Sequence, residues 1–435
     1  MSKDYDVIVI GAGIIGTCTA FELAKKGYRT LVVDKLSAAG FGSTSNTCAV
    51  IRLHYSTPDG VAMAREGYFY WIDWPRYLGV VDETGTARYN NTGCMLLKTE
   101  KNKYLENVMA SLDELSVVYQ ELDTVGIAEK LPFVNTRGYG PPVLPSDERF
   151  GNPTGDSLAG AIYIPESGYI NDPQLSVHNV QRAAEAQGAE FRFHAEVAEV
   201  LTQDGRAAGI KLADNTELHA PVVVNVSGPH SFIINRMAGV EDEMAITTRP
   251  LKQEVCYVPA PEGIDYNLQG MLVSDGDVGC YSRPAIGNQV LIGSEDPECD
   301  VLDWVDDPDD YDQSFTAQWR TQVLREAQRI ETLPIPHKPR GLVDLYDCTP
   351  DWIPIYDKSS LPGFYMAVGT SGNQYKNAPV VGLLMAELIE KVEAGQDHDN
   401  DPVTFAMKYT QRECDIGFFS RLREIHADSS FSVLG

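Results

Sequence analysis

Three glycines and one aspartate carry the first chemistry the chain suggests. Between Tyr5 and Asp34 the residues Gly11, Gly13 and Gly16 are spaced G-x-G-x-x-G, directly after the apolar run Val7 to Ile10. In such a pattern the first glycine permits a tight turn, the second lets backbone approach a pyrophosphate, and the third lets helix and strand pack closely. The N–H groups that follow, on Ile14 and Ile15, open a helix and are suited to phosphate oxygens. Asp34, with Lys35 beside it, ends the next strand-like run, Thr30 to Val33. Its carboxylate can accept from ribose hydroxyls and would repel a 2′-phosphate, so FAD or NAD fits and NADP does not. The competing reading is a packing turn without a ligand. Strand before, helix after (Thr17 to Lys26) and acid at the expected distance together favour dinucleotide binding.

The elements that must hold this turn are those of a βαβ unit in a chain of 435 residues, long enough for two or three domains. Apolar content of 43% and charged content of 22% are ordinary for a globular enzyme. A formal charge of −27 argues against nucleic-acid or anionic-membrane partners, which need clustered Lys and Arg. The eight cysteines are dispersed, with no CxxC and no metal-ligand spacing, and read as reduced thiols of a cytoplasmic protein. Acids at Asp4 and Asp6 and the direct passage into the glycine motif make the N-terminal apolar run a strand, not a signal peptide. Other apolar segments are too short or too interrupted by charge to span a bilayer.

Further along, Leu36 to Tyr55 is rich in Gly, Ser, Thr and Asn and reads as a loop that contacts phosphate and ring, through Ser43, Thr44, Ser45 and Asn46. Pro58 to Leu78 reads as one helix whose stripe of Met63, Tyr68, Tyr70, Trp71 and Trp74 is core packing. Ala87 to Thr99 reads as a strand pair turning at Asn90 to Gly93, and Lys101 to Leu122 as a helix. Thr136 to Gly160 is a long exposed connection; a helix begins at Pro173 and stops near Gly188. Strands follow at Phe191 to Leu201, Gly209 to Leu212 and Ala220 to Ser227. Thr247 to Ser294 alternates as an antiparallel sheet without a helix, Glu295 to Asp312 reads as a solvated acidic loop, and Ser314 to Ile330 as a helix. The last αβ piece is the strand Gly363 to Val368 and the loop and helix from Gly369 to Val392.

Three separated segments, Gly11 to Asp34, VVVNVSGPHS at Val222 to Ser231 and GTSGNQYKNAPVVG at Gly369 to Gly382, together resemble the D-amino-acid oxidase, glycine oxidase and sarcosine oxidase superfamily of FAD flavoproteins. The resemblance covers roughly residues 5 to 395. It implies an α/β fold with an α+β insertion. A Rossmann-like FAD-binding domain would be built from residues 1–85, 160–240 and 340–395, an antiparallel-sheet substrate domain from 86–159 and 241–339, and a C-terminal extension from 396–435. It also implies that the strand near Val197 brings backbone to the adenine, that Ser227 and Gly228 lie at the cofactor, and that Gly369, Gly372, Asn373, Gln374 and Tyr375 set a glycine loop and helix N-terminus beside the flavin pyrimidine carbonyl. A helix N-terminus there suits an anionic reduced flavin.

By the same resemblance Arg52 occupies the place of the substrate-carboxylate arginine of sarcosine oxidases, Lys376 that of its lysine partner, and Tyr281 that of the active-site tyrosine. Two cations of this kind suit an anionic group, one planar and bidentate, the other a point charge. The plainer alternative is that Arg52 salt-bridges a core acid and Lys376 caps a turn. Arg283 is a second carboxylate candidate, with a buried arginine–acid pair as its plain alternative. His54 and Glu295 are candidate proton acceptors, against a surface or hydrogen-bonded structural role.

The chain also departs from the family. Where relatives attach FAD covalently through a histidine or a cysteine, this sequence aligns Asn46 and Asp344, neither of which forms that bond. Where monomeric sarcosine oxidases place a lysine over the flavin, Leu291 aligns, which puts the oxygen half-reaction in question unless Lys252 or another cation substitutes. The expected activity is oxidation of the C–N bond of a small amino acid or N-methyl amino acid, with dioxygen as acceptor. The rivals are a dehydrogenase with another redox partner, an inert flavin-binding subunit and a nicotinamide dehydrogenase. With noncovalent FAD, acid precipitation should leave a white pellet and a yellow supernatant; yellow colour in the pellet would reverse this expectation.

Overall fold

The computed structural model describes residues 4–434. Its first sheet has six strands in the order Ile355–Lys358, Phe364–Val368, Val222–Asn225, Val7–Ile10, Thr30–Val33 and Glu190–Arg192. All pairings are parallel except that of the outermost strand Ile355–Lys358. Val7, Ile8, Val9 and Ile10 are buried on both faces, which is why this strand reads as an unbroken apolar run. The helix Ile14–Lys25 packs against Pro173–Ala186 and Ala378–Glu393. Its contact with the last of these is close: a Cβ on Gly382 would meet the Cys18 carbonyl at 2.7 Å. Asp172 caps the Pro173–Ala186 helix through the Leu175 N–H, as the Asp-Pro start suggests.

The second sheet has nine strands and is mixed. Arg249–Pro259, Gln289–Ser294, Cys280–Ala285 and Leu272–Asp275 follow one another antiparallel or through shared neighbours, as expected for Thr247 to Ser294. Leu272–Asp275, however, pairs in parallel with Cys94–Leu97, and one helical turn, Tyr266–Gln269, interrupts the run where none was expected.

Several local readings change. The first helix begins at Ile14, three residues ahead of Thr17, because the extended Gly13 is its N-cap. The helix from Pro58 breaks after Ile72 and resumes over Trp74–Leu78, where Pro75 has no N–H to continue the first helix's bonding. The expected hairpin at Asn90 to Gly93 is not one. Tyr89–Asn91 pairs with Gly168–Ile170, whereas Cys94–Leu97 pairs with Ala161–Ile164, so the two strands part into different sheets. Of the helix expected over Lys101 to Leu122 only Glu106–Glu114 is α-helical, and Gln120–Leu122 is an edge strand on Ala161–Ile164. The acidic run after Ser294 is solvated only in part. Glu295 is buried, and Asp300 is drawn inside by the buried Arg325, with Nη1 and Oδ2 2.8 Å apart.

The C-terminal stretch folds back along the body of the molecule. Buried Glu66 accepts from the backbone N–H groups of Lys408, Tyr409 and Thr410 at 2.9 to 3.1 Å, Arg421 pairs with Asp357 and Asp399, and Arg423 pairs with Asp351. No helix among the described residues is long and apolar enough to cross a membrane. Glu66→Ala removes the buried carboxylate that these three backbone donors share and should lower unfolding stability by about 3 kcal/mol, read as a lower denaturant midpoint with faster hydrogen exchange at residues 408–410.

Candidate active site

A cavity of about 400 Å³ begins at the glycine turn and ends at Arg52 and Lys376. At its first end the steric reasons for glycine are explicit. A Cβ on Gly11, whose φ is +109°, would meet the Val226 carbonyl oxygen at 2.3 Å, and one on Gly16 would meet the Gly11 carbonyl oxygen at 2.0 Å. Asp34 is held by backbone, its Oδ2 accepting from Ala12 N and its Oδ1 from Leu36 N, both at 2.8 Å. Thr44 reaches back from the following loop to accept from Ile14 N at 3.2 Å, which fixes that loop over the start of the helix.

The cavity wall includes Gly11, Gly13, Ile14, Ile15, Gly16, Asp34, Lys35, Ser43, Thr44, Asn46, Val197, Ser227, Gly228, Gly372, Asn373, Gln374 and Tyr375, and at the far end Arg52, Lys376 and Tyr281. Two of the sequence candidates do not line it. Ser45 turns its hydroxyl to the Gly42 carbonyl, and Gly369, at φ +69°, gives its N–H to Asp347. Both shape loops instead. Lys35 does line the cavity, but its ammonium is held by Asp309 (2.6 Å to Oδ2) and His230 (2.9 Å).

Arg52 and Lys376 are 6% and 3% exposed, and none of their described hydrogen bonds or ion pairs is to a carboxylate. The core salt bridge considered for Arg52 is therefore not formed: its guanidinium donates to the carbonyls of His54, Val433 and Leu434. Lys376 does bond its own turn, donating to the Asn373 carbonyl at 2.6 Å, and also to Tyr55 Oη at 2.8 Å. The Tyr55 ring centre lies 4.2 Å from the Arg52 guanidinium and 5.0 Å from the Lys376 ammonium, so one aromatic ring softens both charges. Burial, then the Arg52 charge, pulls Lys376 well below the ordinary lysine range.

His54 lines the cavity beside these cations and is buried, with neither ring nitrogen bonded. Burial and its two cationic neighbours keep it neutral, well below the ordinary value of 6.5. Glu295 does not line the cavity; it is bonded to Ser274, which does, and burial pushes it up to about 8. Tyr281 lies across Gly293, whose Cβ would strike its ring at 2.2 Å, and its hydroxyl is 3.1 Å from Cys48 Sγ. Arg283 has no acid partner among its described bonds, contrary to the plain expectation, and does not line the cavity. It donates to the Cys48 carbonyl at 2.8 Å and so holds the loop that covers the cavity. Asn46 and Asp344, the two positions aligned with covalent attachment, bond each other at 2.6 Å.

A family model described as FAD dependent oxidoreductase matches residues 6–388. The chain belongs to this family. The cofactor of this FAD dependent oxidoreductase is FAD, and the glycine turn, the backbone-held Asp34 and the continuous lining fit such a dinucleotide. Among its relatives, glycine oxidase of Geobacillus kaustophilus is 25% identical over 403 residues, covering 91% of this chain and 96% of the relative. Peroxisomal sarcosine oxidase of Homo sapiens is 25% identical over 411 residues, covering 90% and 94%. Among solved structures, L-proline dehydrogenase from P. horikoshii superposes with a TM-score of 0.73 at 22% identity, covering 90% of this chain and 95% of that one. The glycine oxidase structure from Geobacillus kaustophilus gives 0.71 at 22% identity, covering 91% and 97%.

Val433 and Leu434 are not assigned to the site from sequence. A tail reading SFSVLG carries no pattern that points to a cavity. Gly16→Ala places a methyl against fixed backbone, not a movable side chain, and should yield folded but colourless protein with flavin content below about a tenth of the parent, given the severity of such overlap; absorbance at the flavin bands measures this.

Proposed function

We propose that this oxidoreductase oxidises the C–N bond of a small amino acid or N-methyl amino acid to an imine, which water hydrolyses to a carbonyl product and an amine. The observation that carries the reading is the pair Arg52 and Lys376: two basic side chains buried on one cavity wall with no described carboxylate partner. Such a pair is completed by an anion, and a carboxylate accepts bidentately from the guanidinium and singly from the ammonium. The relatives named for glycine and sarcosine support an amino-acid substrate.

In this reading Gly11, Gly13, Ile14, Ile15, Gly16, Asp34, Lys35, Ser43, Thr44, Asn46, Val197, Ser227 and Gly228 hold FAD from one side, and Gly372 to Tyr375 from the other. FAD, when bound, accepts the hydride equivalent lost by the substrate carbon. Asn46 and Asp344 bond each other and neither side chain has the chemistry of a flavin attachment, so the cofactor is held noncovalently. Arg52 and Lys376 fix the carboxylate and thereby the orientation of the reacting carbon. The amine gives up hydride only when neutral, and the neighbouring positive charge lowers its pKa. Neutral His54, a cavity-lining residue whose two buried ring nitrogens have no described partner, accepts the ammonium proton; Tyr281 lines the same cavity.

A second reading concerns the electron acceptor. Leu291 is fully buried and away from the cavity, and Lys252 turns aside to the Ser314 carbonyl (3.1 Å) and Asp303 (3.8 Å), so neither supplies a cation there. A dehydrogenase is favoured where Arg52 and Lys376, the basic groups at this end of the cavity, stay occupied by the acid, since reduction of dioxygen develops negative charge that a free cation would stabilise. Bleaching of the flavin without air by glycine, sarcosine, proline and D- and L-amino acids tests the substrate class. Peroxide yield against dye reduction then separates the acceptors; bleaching by none of these would sink the proposal.

Arg52→Ala should raise KM strongly, by roughly 2 to 5 kcal/mol in apparent binding, because the loss leaves a buried charge pattern incomplete; an unchanged KM removes Arg52 from the site. For His54 the sign follows from its depressed value. The base form prevails at neutral pH, and activity falls only on acidification past a pH below 6.5. His54→Asn should slow flavin reduction about a hundredfold, abolish that acid limb and respond to added imidazole.

A further inference from the structure

The residue read here as the carboxylate anchor already has partners from a distant part of the chain. Arg52 Nη2 donates to the carbonyl oxygens of Val433 (3.0 Å) and Leu434 (2.7 Å), 381 and 382 positions away. Both residues line the same cavity as Lys376, His54 and Tyr281. Val433 is 9% exposed and packs in one apolar cluster with Leu251, Val255 and Tyr281. The segment thus fills the place next to Arg52 with an apolar side chain and presents two carbonyl oxygens to the guanidinium.

The attachment of the segment is uneven. Ser429 is anchored, its hydroxyl donating to the Asp351 carbonyl at 2.5 Å, and Arg423 just before it grips the Asp351 carboxylate at 2.9 Å. Beyond that post, apart from the bonds to Arg52, the hydrogen bonds described for residues 430–434 run among Ser430, Ser432 and Leu434 or back to Ser429. Phe431 is 47% exposed. A post followed by a self-bonded strap can swing without breaking the rest of the fold.

The chemistry of exchange favours an incoming acid. Two neutral carbonyl oxygens satisfy donors that would otherwise be orphaned in a buried site, but they leave the charge uncompensated. A carboxylate offers the same two acceptors in a planar fork and adds a full negative charge. We propose that residues 430–434 form a displaceable plug, in which the Val433 and Leu434 carbonyls stand in for the substrate carboxylate and yield Arg52 to it. The plug makes the site selective for acids over neutral amines of equal size, because only an acid carries the charge that displaces it. This rests on the reading of Arg52 as the carboxylate anchor.

The experiment uses the full-length protein with FAD bound, benzoate and benzamide as probes, and flavin absorbance to follow binding. Hydrogen exchange at residues 430–434 should quicken at saturating benzoate and stay unchanged with benzamide. Deletion of residues 430–435 should tighten benzoate by about tenfold or more, the equivalent of one charged hydrogen bond, and narrow the preference for benzoate over benzamide. Val433→Ala should move both quantities the same way by less. Benzoate binding that is lost in Arg52→Ala, with tail exchange unaltered in the parent or with weaker binding in the deletion, overturns the plug and leaves the anchor standing. Benzoate binding indifferent to Arg52→Ala overturns both.

Discussion

Two basic side chains held inside the protein, with no carboxylate among their described hydrogen bonds and ion pairs, are the constraint around which this molecule is arranged. Moving such groups out of water costs several kcal/mol each unless something compensates, and here the compensation is assembled piecemeal. The Tyr55 ring faces both, its hydroxyl receives the Lys376 ammonium, and carbonyls from three places in the chain receive the rest. None of these carries a full negative charge. The site is therefore electrostatically unfinished while its hydrogen bonds are largely made, a state that a small acid relieves.

Reaching that state takes contributions from both sheets and from the loops between them. The parallel sheet delivers the glycine turn and Asp34 at the ends of adjacent strands, where a dinucleotide crevice forms in open α/β sheets. The mixed sheet delivers Tyr281, flattened over Gly293. The loop from Leu36 to Tyr55 joins them. It is pinned to the first helix by Thr44 and to the mixed sheet twice, by the bond from Asn46 to Asp344 of the strand Gly341–Cys348 and by Arg283.

The glycine turn is legible because its spacing records a local constraint, the Gly16 overlap being with the Gly11 carbonyl five residues back; the Gly11 overlap is with Val226, which only the closed fold brings near. The alternation of Thr247 to Ser294 showed a sheet, but not that Leu272–Asp275 would find Cys94–Leu97 in parallel. The Asn90 to Gly93 turn was misread for the same reason. Its turn chemistry is local, whereas the choice of partner belongs to Gly168–Ile170 and Ala161–Ile164, which lie elsewhere in the sequence. Arg52 and Lys376 were singled out by likeness to a family and not by spacing, because their meeting depends on the whole fold. The burial of Asp300 and the seat of Val433 left no trace in composition: one is set by Arg325, the other by a guanidinium at the opposite end of the chain.

The helix Pro58–Ile72 has a bearing on the site that its position outside the cavity wall conceals. Trp71 Nε1 donates to the Lys376 carbonyl at 2.8 Å, the Trp71 ring stacks on Tyr375 at 5.1 Å, and a Cβ on Gly67 would meet that same Lys376 carbonyl oxygen at 2.5 Å. The lysine that faces the ligand is thus located from behind, by a residue with no side chain and a residue with the largest. Drift or engineering on the rear of that helix acts on ligand affinity as a wedge behind a mounting plate does on the tool it carries, without altering a single group the ligand touches.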